Sequence, residues 1–219
     1  MTFFYLTPEW FFGFDIFLEL LFGIITAFVA YYSFKVYKLC EQRECKILGL
    51  AFSAISLSYF IWPLLNIFTL LEVVEGKGLI DLSNLPFFVV LSLYAHILFF
   101  ILGLVTLAYV TFNVKNQRVY TLLASLSIIV IIFSSQKALA FNFVSALLLF
   151  YVAIFYGKRF FRDKTERYFL IFFAFVILFL ARASLTFSIV SHVPYVIDHA
   201  GELVAYVLIM ISLIKGLKK

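Results

Sequence analysis

Five ionisable side chains stand in stretches that are otherwise apolar: Glu19, His96, Arg182, His199 and Glu202. Imidazoles and carboxylates hold metal ions, and an arginine neutralises carboxylates or grips an anion. His199 and Glu202 are three residues apart and Tyr206 is seven beyond His199, so on a helix they share one face. With His96 as a third donor, His199 and Glu202 make a mixed imidazole–carboxylate set that suits zinc or iron. His96 and His199 alone, from two helices, would be the axial pair of a b-type haem. A third reading is a ligand pocket. There Arg182 would hold an anionic group, or Glu19 and Glu202 a cationic one, with Tyr206, Trp62 and Asn66 in the wall. The same residues could instead form a structural ion-pair network. That reading leaves one arginine facing two carboxylates, and the surplus charge calls for a proton, a cation or a cationic ligand.

The elements that must position these residues are membrane spans. The chain is 65% hydrophobic, 21% aromatic and only 13% charged, with a mean hydropathy of +1.10. Soluble domains are roughly 45–50% apolar and about 25% charged, so the bilayer must be the solvent here. At about 20 residues per span the length fits roughly seven helices. They read as 11–37, 46–71, 87–112, 120–133, 138–156, 168–190 and 195–213, in a single domain over 1–219. The fold class is therefore an all-α integral membrane protein of seven transmembrane helices, multi-pass in the cell membrane with the lipid bilayer as its partner. The turn-rich stretch from Glu75 to Pro86 reads as a loop, and the +5 net charge is no nucleic-acid footprint.

Charge sets the orientation. Placing the N-terminus outside puts fourteen of the 17 basic residues in cytoplasmic loops or the C-terminus, as the positive-inside rule expects. Only Lys77 and Lys137 fall outside, and Arg182 lies within a span. Cys40 and Cys45 then sit in one cytoplasmic loop as reduced thiols. At 1.5 Å per residue, Glu19, His96 and Arg182 lie roughly 12–14 Å from the outer ends of their helices, and His199 and Glu202 roughly 6 and 10 Å. All five share the outer half, while Asp15 and Asp198 read as interfacial and His192 as part of an outer loop. The inner half has no comparable set, which argues against a route through the bundle. Trp62-Pro63 marks the same layer, and the proline frees the Tyr59 carbonyl.

Helices one to three echo helices five to seven. A shift of 121 residues pairs Phe34 with Phe155, Lys38 with Arg159, Phe52 with Phe173 and Leu57 with Leu178. Helix four would then connect two parallel three-helix units, a 3+1+3 repeat.

No zincin motif and no nucleophile elbow is present, and no nucleophile or catalytic metal stands out, so a non-enzymatic role is favoured over an enzymatic one. A retinal lysine midway along helix seven is missing, since Lys215 stands at its cytoplasmic end. The segments Phe34-Lys35-Val36-Tyr37-Lys38-Leu39, Ile47-Leu48-Gly49-Leu50-Ala51-Phe52 and Ser56-Leu57-Ser58-Tyr59 resemble the first two helices of membrane-embedded sensor modules. Those modules are fused to bacterial and archaeal histidine kinases and cyclases. Glu202 and the ending from Leu208 to Lys219 are similar too. The likeness covers about a third of the chain. It implies a small-ligand or ion sensing module, a separate signalling partner on the cytoplasmic side taking the place of an output domain after Lys219. The alternative is a membrane transporter or a metal- or haem-binding membrane protein.

Overall fold

Inside hydrocarbon each backbone N–H and C=O must find its partner within the chain, and the long apolar runs satisfy this as helices. The computed structural model describes residues 12–75, 85–112, 116–187 and 193–217. They form α1 (Phe12–Cys40), α2 (Arg43–Glu75), α3 (Leu85–Phe112), α4 (Gln117–Phe133), α5 (Lys137–Asp163), α6 (Glu166–Phe187) and α7 (Val193–Leu217). Six of the seven are long and apolar enough to cross a membrane. The exception is α4, whose 17 residues span only about 26 Å against a hydrocarbon core of about 30 Å.

The helices outrun their apolar stretches at the basic end. Lys158, Arg159 and Arg162 all ride on α5, which continues to Asp163 rather than ending near Tyr156. Cations are favourable at a helix C-terminus, and their long stems reach past the apolar zone, so hydropathy alone stops the helix too early. Only two residues, 41–42, join α1 to α2, and only 164–165 join α5 to α6. Each turn uses a non-glycine residue at positive φ, Glu41 (52°) and Lys164 (45°). Their amides close back on the Tyr37 and Phe160 carbonyls at 2.8 and 2.7 Å, satisfying carbonyls that the helix ends leave orphaned.

Packing closes the six long helices into a ring in the order α1, α2, α3, α5, α6, α7 and back to α1, with α4 outside against α3 and α5. Two contacts draw neighbours together. The Ser56 hydroxyl of α2 donates to the Gly23 carbonyl of α1 at 2.8 Å, a polar tie between small residues that suits a lipid setting. Gly103 of α3 lies so close to α2 that a Cβ there would meet Ile55 Cγ1 at 2.5 Å and the Ala51 carbonyl oxygen at 2.9 Å.

Successive helices run in opposite directions. One end of the ring therefore gathers the starts of α1, α3, α5 and α7 with the ends of α2 and α6. Lys35, Lys38, Arg43, Lys46, Lys158, Arg159, Arg162, Lys164 and Arg167 lie toward the opposite end. Between them the core is aliphatic and aromatic, built around Phe22, Phe52, Ile55, Ile101, Leu149 and Phe175. Large apolar side chains such as Phe28, Leu57, Leu98, Leu147, Phe173 and Val204 face outward, as lipid contact requires.

Candidate functional site

Among the described residues, the buried charged side chains are Asp15, Glu19, Arg182, Asp198, His199 and Glu202. All six lie at the end opposite the basic turns. Helical spacing aims them inward: Asp15 and Glu19 are one turn apart on α1, and Asp198 and Glu202 are one turn apart on α7.

Arg182, one and a half turns before the end of α6, joins the two acids of α7. Its Nη2 donates to Glu202 Oε1, and its Nη1 lies 3.5 Å from Asp198 Oδ2. The guanidinium also lies over the rings of Phe100 and Phe141, 5.0 and 5.6 Å from their centroids. Its two terminal nitrogens thus meet acids of the bundle itself, while its Nε is buried without a hydrogen-bond partner. Asp198, expected at the interface, is buried and ion-paired; hydropathy placed it by its distance from the helix start, whereas its helix face decides its burial.

Glu202 has a second donor in the Tyr59 hydroxyl of α2, at 2.8 Å. Tyr59 and Tyr206 are 2.9 Å apart, hydroxyl to hydroxyl. Since Tyr59 gives its proton to the carboxylate, Tyr206 must donate to Tyr59. The order is Tyr206 to Tyr59 to Glu202, and Arg182 closes it from the other side.

A second group joins α7 to α1. His199 Nε2 lies 2.8 Å from Asp15 Oδ1, and its Nδ1 lies 3.0 Å from the Tyr195 carbonyl. A carbonyl only accepts, so Nδ1 carries a proton and donates it. The Tyr195 hydroxyl donates to the same Asp15 oxygen at 2.8 Å. Asp15, read from the sequence as a headgroup-level residue, is thus a buried acceptor of two bonds. Glu19 completes the group: ligand-capable atoms of Asp15, Glu19 and His199 all lie within 4.8 Å of one another.

His96 does not join either group. Its Nδ1 donates to the Ser58 carbonyl at 3.0 Å, and its ring is boxed by Tyr59, Trp62, Phe100 and Phe141 at centroid distances of 5.8–6.1 Å. The trio His96, His199 and Glu202 therefore does not converge as a ligand set. In its place the fold assembles Asp15, Glu19 and His199. A haem between His96 and His199 does not fit, because Tyr59 and Phe22 fill the space between them. Phe22 packs on Tyr59 at 5.4 Å and on His199 at 6.0 Å, and Tyr59 packs on His96. Trp62 packs on His96, ring centroids 6.1 Å apart, and the side chain of Asn66 lies outside the described residues, as do His192 and the loop over 76–84.

Under the Arg182–Glu202 pair lies a cavity of about 10 Å³, walled by Phe52, Ile55, Leu104, Leu149, Phe175 and Leu178 and reaching Tyr206. A space of that size, walled almost wholly by apolar side chains, has no room for an organic molecule. Sequence reasoning missed Tyr59, Tyr195, Asp15 and Asp198. The i, i+4 spacing of the two acid pairs was a usable signal, whereas nothing in the sequence singles out those two of the 13 tyrosines.

No protein-family model matches the chain, and no curated protein and no solved structure matches it.

Proposed function

We propose that this polytopic membrane protein, with charged residues buried inside its helix bundle, is a sensing or binding module of the cell membrane whose ligand, a small ion ahead of an organic molecule, enters the buried cluster from the outer side. One observation carries the reading. Four buried carboxylates face one guanidinium and one imidazole at a single end of the ring, and no buried charged side chain follows toward the other end among the described residues. A carrier needs polar stations along its path, because each ion transferred into bare hydrocarbon costs several kcal/mol. A sensor needs only one site and a bundle that responds to it.

The basic turns between α1 and α2 and between α5 and α6 support an N-terminus outside and those turns in the cytoplasm. The ring order supports the 3+1+3 repeat. The contact of α3 on α5 is matched by α7 on α1, and both two-residue turns carry a left-handed residue. In this reading a separate cytoplasmic partner takes up the output from the basic face.

Flux measurement tests the proposal. Proteoliposomes loaded with pH- and metal-sensitive dyes are exposed to a proton gradient and to external Zn²⁺, Mn²⁺, Ca²⁺ and Na⁺. The expected result is no protein-dependent uptake. Sustained proton or cation accumulation overturns sensing in favour of a carrier.

A further inference from the structure

We infer that Asp15, Glu19 and His199 form a site for a divalent first-row transition cation, of the Zn²⁺ or Mn²⁺ type. The inference rests on the reading of this end of the bundle as a binding site, and it names the class of ligand.

Three observations carry it independently of the residue types alone. First, the donor atoms come from two helices and already lie within 4.8 Å of one another. A cation with metal–ligand bonds of about 2.1 Å holds its donors roughly 3.4 Å apart in tetrahedral geometry, so the group closes by side-chain rotation alone. Second, Glu19 is only 7% exposed, and its Oε2 is buried with no hydrogen-bond partner. A carboxylate oxygen left so costs free energy unless something positive meets it, and the two donor groups beside it are Asp15 and His199. Third, the outer contacts have the form that metal ligands use. His199 donates Nδ1–H to the Tyr195 carbonyl, which turns Nε2 toward the acids, and the Tyr195 hydroxyl holds Asp15 in place. Such bonds fix a ligating imidazole's tautomer and orientation.

Two carboxylates and one imidazole are a mixed set that favours Zn²⁺ or Mn²⁺ over the all-oxygen cage of Ca²⁺. A cation at Nε2 replaces the proton now lying between His199 and Asp15, and that proton passes to solvent. Asp198 and Glu202 stay with Arg182 and are not ligands. His96, held on Ser58, is not one either.

The test uses the full chain purified in detergent on a histidine-free affinity tag. Zn²⁺ and Mn²⁺ are titrated separately and bound metal is counted by mass spectrometry. One saturable equivalent per chain is expected, with Glu19→Gln and Asp15→Asn weakening it at least tenfold and His96→Leu leaving it unchanged. No saturable binding to the natural chain overturns the inference, as does full affinity in Glu19→Gln or loss in His96→Leu. Pulsed electron paramagnetic resonance on the Mn²⁺-loaded natural chain decides the matter if the variants fail to accumulate. Coupling to a single imidazole nitrogen set is expected, and two imidazoles or none overturn the site. Failure here leaves the sensing proposal standing for another ligand. Binding with accumulation inside proteoliposomes keeps the site and ends sensing.

Discussion

The Tyr59 hydroxyl on α2 donates to Glu202 on α7 across 2.8 Å, although 143 residues separate them in the chain. This bond ties the two helices that flank α1 in the ring, and Tyr206 supports it by donating to Tyr59. Tyr59→Phe removes a bond to a charged acceptor, worth about 1.5–3 kcal/mol. Tyr206→Phe removes a neutral one, worth about 1 kcal/mol. Because the two act in series, the double variant should lose less than the sum of the single losses. A double-mutant cycle from reversible unfolding in detergent and denaturant measures that coupling. Strict additivity would show that the tyrosines do not form one chain.

Arg182 neutralises two buried acids, so Arg182→Met should be among the most damaging single changes. Breaking a buried ion pair from one side costs about 3–5 kcal/mol, since Asp198 and Glu202 are then left facing each other. The triple variant Arg182→Met, Glu202→Gln, Asp198→Asn should recover most of that loss, because no unpaired charge remains and an amide oxygen at position 202 still accepts from Tyr59. Accumulation in membranes and the unfolding midpoint are the readouts. A triple variant as poor as the single one would mean that Arg182 acts by another route, such as its stacking on Phe100 and Phe141.

The α2–α3 seam depends on Gly103. Even alanine there places a Cβ 2.9 Å from the Ala51 carbonyl oxygen, a backbone atom that cannot swing aside. Gly103→Ala should destabilise by about 1–3 kcal/mol. Pairing it with Ile55→Ala should restore little, since Ile55 is only one of the two obstacles. Thermal unfolding of both variants checks this, and a full rescue by Ile55→Ala would place the clash at the side chain alone.

The proposed orientation, with the basic turns in the cytoplasm, can be read with the chain's own thiols. Cys40 is exposed at the end of α1 and Cys45 is half-buried in the first turn of α2. A membrane-impermeant maleimide should label Cys40 in inside-out vesicles and leave it unlabelled in intact cells. Labelling of intact cells would invert the topology and put the carboxylate cluster on the cytoplasmic side.

The sequence by itself determined the class of the molecule and its helices. Bilayer thickness and the need to satisfy every backbone group leave an apolar chain little choice, so length and hydropathy give seven helices, although α5 runs on through its basic residues to Asp163. It also located the charged layer, because depth along a helix scales directly with residue number. Tertiary structure decided which charges meet. Asp15 and Asp198 stand near helix starts and count as interfacial by depth, yet their faces turn inward and bury them. His96 lies at the right depth but on a face that meets Ser58 and a ring of aromatics, so it leaves the site to Glu19, Asp15 and His199. Depth is a property of one helix, whereas convergence depends on the rotation of several helices about their axes, and that is fixed only when the ring closes.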